Sequence, residues 1–251
     1  MVEQPREHPD DPPPNPVCGL LVIDKPVGPS SMAVCARVRA LLRRGGAPKR
    51  VKVGHGGTLD PLASGVLVLL CGKATPMCER VMRGAKRYLA RVDLSAFTTT
   101  DDREGERTEI DVVNPPSPER IAQALTAFVG DIMQRPPAFS AMKVGGRRAY
   151  ALARSGVAVE LEPRPVTIHG IDLIGYEWPY VDLDVRSGKG VYIRSLARDL
   201  GEALGTGGSL AALRRTAVGP FRIEESIRLD ALPERLTQED LLPLDAWSDA
   251  D

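Results

Sequence analysis

The residues of this chain best placed to do chemistry lie in Gly54 to Thr75, GHGGTLDPLASGVLVLLCGKAT, where a glycine-rich turn delivers His55 and Asp60 to the head of a long apolar run. Gly54, Gly56 and Gly57 tolerate backbone angles that other residues avoid and let a second backbone approach closely. Asp60 precedes Pro61, whose ring fixes its own φ and biases the residue before it away from the helical region. The carboxylate is therefore expected at a set angle. A phosphate cradle of the GxxxxGK[ST] type is excluded, because Leu67 stands where its first glycine belongs and Ala74 replaces the hydroxyl residue. The dinucleotide pattern fails at Leu59, where a third glycine is needed. Two readings of Asp60 remain open on the residues alone: a helix cap with Pro61 in the first turn, and a catalytic carboxylate presented by a tight turn.

The elements that would hold this turn can be read in order. Residues 1–16 carry six prolines and almost nothing to bury, and are expected as a disordered leader. Val17 to Asp24 is an apolar strand, and Ser30 or Ser31 caps a helix with Val34, Cys35, Val38, Leu41 and Leu42 on one stripe, stopped by Gly45-Gly46. Gly65 to Leu70 reads as a buried strand, Thr75 to Arg83 as a short helix, and Lys86 to Ser95 as an alternating strand that places Tyr88. Thr98 to Gly105 is a polar, acidic loop, Ser117 opens a helix through Val129, and Asp131 to Lys143 is an extended stretch broken by paired prolines, an edge or a loop-forming crossover. Arg148 to Arg154 looks helical. Pro165 to Tyr176 and Tyr180 to Arg186 form a hairpin, Gly190 to Leu204 a helix closed by Gly205, and Ser209 to Val218 a short helix followed by a strand. Strands come both in hairpins and between helices, so the expected class is α+β, a mixed and largely antiparallel sheet with helices packed around it.

The chain has 251 residues, 43% of them hydrophobic, enough for a sizeable core. No run of about 18 apolar residues occurs, so a cytoplasmic protein without a membrane span is expected. Cys18, Cys35, Cys71 and Cys78 form no CxxC pair and read as buried thiols, and His8, His55 and His169 are too scattered for a metal site. The net charge of zero hides a segregation. Lys25 to Leu59 has no acidic residue but carries Lys25, Arg37, Arg39, Arg43, Arg44, Lys49, Arg50 and Lys52. Ile132 to Val159 is likewise acid-free, with Arg135, Lys143, Arg147, Arg148 and Arg154. On one face these windows would bind phosphates; each alone is also what a solvated helix face looks like.

HGGTLDPLASGVL, together with DKPVGPSS, AKRYLA, PPAFSAMKVGGRRAYALARSG and GVYIRSLARDLGEALG, resembles the TruB family of tRNA pseudouridine synthases over roughly Gly19 to Val218. The resemblance implies a catalytic domain over 17–221 and a short extension over 222–251 without a full-size C-terminal RNA-binding domain. It implies isomerisation of a T-loop uridine, tRNA position 55, with no cofactor or metal, no obligatory protein partner, and a monomer bound to the T arm of tRNA. It assigns Asp60 as the carboxylate that attacks or stabilises C1′, Arg194 as its partner, and Tyr88 as the ring that stacks on the extruded uracil. His55, Tyr192, Leu213 and Lys25 match substrate-pocket positions, Lys25-Pro26 chiefly as a brace for the turn. The chain departs from the family at Gly56, Phe139 and Val191, where Thr, Tyr and Thr are frequent. Other expectations are a tRNA-binding or folding module with little catalysis and, disfavoured, a guide-directed subunit.

Overall fold

The computed structural model describes residues 16–140, 142–144, 147–148 and 161–247. The leader expected over 1–16 lies outside them except for Pro16, as does the helix expected over Arg148–Arg154 beyond Arg148 itself.

Strand β1 (Cys18–Lys25) pairs antiparallel with β3 (Ala63–Gly72), and the alternation of both strands feeds two apolar clusters at once. Leu21, Ile23, Leu67 and Leu69 face helix α1 (Ser31–Arg44), whose Val34, Cys35, Val38, Leu41 and Leu42 are all buried there. Leu20, Val22, Val66, Val68 and Leu70 face the other way, toward Phe221 and Trp247. The Ser30 hydroxyl caps α1 by accepting from the Ala33 amide at 3.1 Å. Strand β2 (Val53–His55) adds to β3, and a 3-10 turn (Thr75–Met77) leads into helix α2 (Cys78–Arg83).

Strand β4 (Lys86–Asp93) points Tyr88, Ala90 and Val92 into a further cluster. A small hairpin follows, β5 (Ala96–Thr98) with β6 (Arg107–Glu109), and then helix α3 (Pro118–Leu125), capped by Ser117. Strand β7 (Gly130–Gln134) is the expected edge, and a two-stranded piece joins β8 (Lys143–Val144) to β9 (Arg147–Arg148). The predicted hairpin is formed by β10 (Arg164–Glu177) and β11 (Tyr180–Ser187). Helix α4 (Ile193–Leu204) buries Ile193, Leu196, Ala197, Leu200 and Leu204 against it and closes at Gly205, φ 71°. It starts three residues later than expected, because Gly190 takes φ 84° and the extended Tyr192 backbone pairs with the Gln134 side chain at 2.8 and 3.1 Å.

The largest correction concerns Ser209 to Val218, which is one continuous strand, β12 (Ser209–Val218), and not a helix then a strand. The strand expected around Leu213 to Arg215 is there; the first letters suit a helix, but they lie beside β4, whose open backbone groups need a partner, and tertiary pairing overrides local propensity. Two short strands complete the sheet, β13 (Phe221–Arg222) on β12 and β14 (Ile227–Arg228) on β1. The main order is β14-β1-β3-β12-β4-β11-β10-β7, parallel only at β14/β1 and β3/β12. The sheet is thus mixed and largely antiparallel. Residues 222–247 run back over β1 through 3-10 turns, with Leu242 bridged to Leu20. Among the described residues no helix is long and apolar enough to cross a membrane.

Candidate active site

The turn that carries Asp60 is tied at nearly every residue. The Gly56 amide donates to Val68 O at 2.8 Å, Ser31 Oγ both accepts from the Leu59 amide and donates to Leu59 O at 2.8 Å, and Pro61 O accepts from the Gly28 amide at 2.8 Å. The Ala63 amide closes back on Asp60 O at 3.1 Å, and the chain then enters β3 directly. No helix follows Pro61, so the capping reading of Asp60 is overturned. Gly56 stands where a Cβ would run into Val81 of α2.

With its backbone held, the Asp60 side chain remains 38% exposed and meets a buried cation: Arg194 Nη2 lies 3.0 Å from Asp60 Oδ2. Arg194 sits in the first turn of α4, its side chain 9% exposed. It also donates through Nη2 to Phe139 O at 3.0 Å, and through Nη1 to Thr100 O and Asp102 Oδ2, both at 3.2 Å. One guanidinium therefore joins two carboxylates and two loops. Asp102 is buried and has its other oxygen occupied by Thr100 Oγ1 at 2.6 Å and the Glu104 amide at 3.0 Å. The loop is pinned to β12 by Asp101, which adopts φ 59° and accepts from the Leu210 amide at 3.0 Å. One turn along α4, Arg198 pairs with Asp101 at 2.7 Å and with Asp199 at 2.8 Å.

Lys25, at the end of β1, is fully buried and donates to Pro26 O at 2.8 Å and Pro29 O at 2.9 Å. Burial pulls its pKa down to about 8, opposed by Asp60 and reinforced by Arg215. Its bonds thus hold the 26–29 loop, whose Gly28 amide donates to Pro61 O. Arg215 on β12 is also buried and donates to Gly57 O, Thr58 O and Val66 O. His55 ends β2 with Nδ1 buried and, among the described residues, unpaired; burial, then the nearby Arg215 charge, lower its pKa, so the ring is neutral at neutral pH.

Tyr88 faces Arg215 across the β4–β12 pair and shares an apolar cluster with Leu62, two residues after Asp60. Leu213 opposes Ala63 on β3 and Ala90 on β4. Tyr192 precedes α4, and its ring packs under the Arg164 guanidinium, 5.2 Å from ring centre to Cζ. Asp60 and Arg194 are in direct contact, and the Asp60 charge is felt at Lys25, where it opposes the effect of burial. Tyr88, Leu213 and His55 lie on neighbouring strands of the sheet, β4, β12 and β2, with β3 between the last two. Sequence reasoning missed Asp102 and Arg215. A charged letter on the strand expected after the short helix was the available signal for Arg215; its carbonyl partners, about 150 residues earlier, were not visible in the letters.

A family model described as TruB family pseudouridylate synthase (N terminal domain) matches residues 44–193, and one described as tRNA pseudouridylate synthase B C-terminal domain matches 194–246. Their boundary falls inside α4, so the second match includes β12 at the middle of the sheet. The chain is 47% identical over 220 residues to the tRNA pseudouridine synthase B of Corynebacterium aurimucosum, covering 86% of this chain and 72% of that one. It is 43% identical to that of Phocaeicola vulgatus, covering 88% and 94%. In structure it is similar to a chain of a Cbf5-Nop10-Gar1 complex, TM-score 0.64 at 32% identity, covering 84% of this chain and about half, 52%, of the other.

Proposed function

The chain belongs to the TruB family of pseudouridine synthases, and on that premise we propose that it isomerises a uridine in the T loop of tRNA, position 55, to pseudouridine. The N1 to C1′ bond breaks, the freed uracil turns, and C5 bonds to C1′; the C5 proton leaves and N1 gains one, so nothing is added or lost overall. Asp60 supplies the group that attacks C1′, or stabilises the positive charge developing there. Arg194 holds that carboxylate in place. Tyr88 stacks on the everted base, and His55, Tyr192 and Leu213 shape its pocket, which returns part of the few kcal/mol spent on unstacking. The observation that carries this reading is the 3.0 Å contact between Arg194 and Asp60, a half-exposed carboxylate on an otherwise immobilised turn.

RNA binding has its own support. Arg39, Arg43, Arg50 and Lys52 surround a cavity of about 500 Å³ whose wall includes Gly54, the residue before His55. Among the described residues none of the four forms an ion pair, which leaves their charge for phosphates. The second basic window, Ile132 to Val159, lies largely outside the described residues.

The decisive experiment uses tRNA tritiated at uridine C5. The protein releases label, Asp60→Asn does not, and that variant still binds tRNA. Full release by Asp60→Asn overturns the reading; no release by either protein, with binding intact, favours a tRNA-binding or folding module.

A further inference from the structure

We propose that Arg215 is a positioning residue for this reaction: its guanidinium clamps both ends of the segment that presents Asp60. The proposal rests on the isomerase reading. In the β12 alternation Leu213 points inward, Arg214 pairs outward with Asp24 at 2.9 Å, and Arg215 turns inward again, to 2% exposure. A buried guanidinium is costly unless its donors are met, and an apolar side chain of similar volume is often tolerated as well or better. Among the described residues Arg215 has no carboxylate partner. Instead Nε donates to Val66 O at 2.7 Å, Nη1 to Thr58 O at 3.3 Å and Nη2 to Gly57 O at 3.1 Å.

The location of those three carbonyls gives the arrangement its meaning. Gly57 and Thr58 come just before Asp60 and Val66 comes after it, so one rigid fork ties together the entry and the exit of the catalytic segment. The guanidinium is planar with donors at fixed angles, so it sets the orientation of the turn as well as its distance from the sheet. The surroundings are shaped for it. At Gly65, φ 107°, any Cβ would lie 2.1 Å from Arg215 O; Gly57, φ 130°, runs beside Nη1. Arg194 meets the carboxylate of Asp60, whereas Arg215 grips the backbone on either side of that residue. The same buried charge reaches Lys25 and His55 electrostatically, adding to burial, the main cause that lowers both pKa values.

The test compares wild type with Arg215→Met, which keeps volume without donors, and Arg215→Lys, which keeps charge without the fork. Tritium release from tRNA is measured for kcat and KM, and amide hydrogen exchange for the Leu59 and Ala63 amides. In Arg215→Met, kcat falls on the order of 100-fold, the cost of a misplacement near 1 Å, while KM stays within about threefold. Leu59 and Ala63 exchange faster, and β11 amides keep their protection. Arg215→Lys recovers only part of kcat. Retention of kcat within about threefold by a folded Arg215→Met protein overturns the proposal, as does a loss confined to KM. Should Arg215→Met fail to fold, Arg215→Lys decides: wild-type exchange at Leu59 and Ala63 with wild-type kcat overturns the clamp. A wild-type protein that releases no label removes the reaction reading instead, and the exchange rates still judge the clamp.

Discussion

Asp102 Oδ2 accepts from Arg194 Nη1 at 3.2 Å, which leaves Nη2 of the same guanidinium for Asp60. Asp102 is almost fully buried, so its charge is compensated chiefly by this contact and by Thr100 and the Glu104 amide. Asp102→Asn keeps the shape but removes the charge that orients Arg194. The expected result is a fall in kcat of about 10- to 100-fold with tRNA affinity little changed. Arg194→Lys should lose at least as much, because an ammonium cannot bridge both acids as a fork does. Wild-type single-turnover rates in Asp102→Asn would remove Asp102 from the machinery.

The cations around the cavity beside β2 make a separate prediction. Replacing Arg39, Arg43, Arg50 and Lys52 by Gln should weaken tRNA binding and flatten its salt dependence. For every phosphate no longer neutralised, the slope of log K against log salt shrinks by about 0.7 to 0.9. Equal slopes for variant and wild type would show that RNA does not occupy this face.

Burial pushes the Cys35 thiol up to about 11 and the Cys71 thiol up to about 12. At pH 8 both are therefore protonated in the folded protein, and the thiolate is the reactive form. Alkylation by iodoacetamide at pH 8, read by peptide mass, should leave Cys35 and Cys71 unmodified until denaturant is added. Rapid native labelling of either would mean that the α1–β3 layer opens readily.

Lys25 links stability to pH. Its folded ammonium titrates near pH 8 and its unfolded one near 10.5, so between these values the unfolded chain binds more protons and this residue's contribution to stability rises with pH. Below pH 8 both states are charged and the cost of burial stands in full. Cys35 and Cys71 work in the opposite sense in the same range, so the comparison must be with Lys25→Met, which shares them. Urea midpoints measured from pH 7.5 to 9.5 should shift in favour of wild type relative to the variant. A gap that stays flat or narrows contradicts the assignment.

Much of the site was legible because its signals are local. The glycine spacing and Asp60-Pro61 marked the turn, Ser30 marked the cap of α1, and the alternation of Lys86 to Asp93 placed Tyr88 on an inward face. What stayed hidden depends on partners distant in the chain. Asp102 looks like any acid in a polar loop until Arg194, 92 residues later, arrives beside it. Arg215 is a plain strand arginine until the carbonyls of Gly57 and Thr58 are brought to it. The letters at the start of Ser209 to Val218 favour a helix, and the gap between β3 and β4 makes them part of the strand that the later letters already suggested.

That gap ties the site to the order of synthesis. On one side of it lie β1, β2 and β3, and on the other β4, β7, β10 and β11, each group able to pair within itself from the ribosome's earlier output. Among the described strands β12 is the one that pairs with both half-sheets, and closing contacts of such sequence separation is slow. The pairing that sets Arg215 opposite Tyr88 and beside Gly65 therefore exists only once residues 209–218, from late in the chain, have joined the sheet.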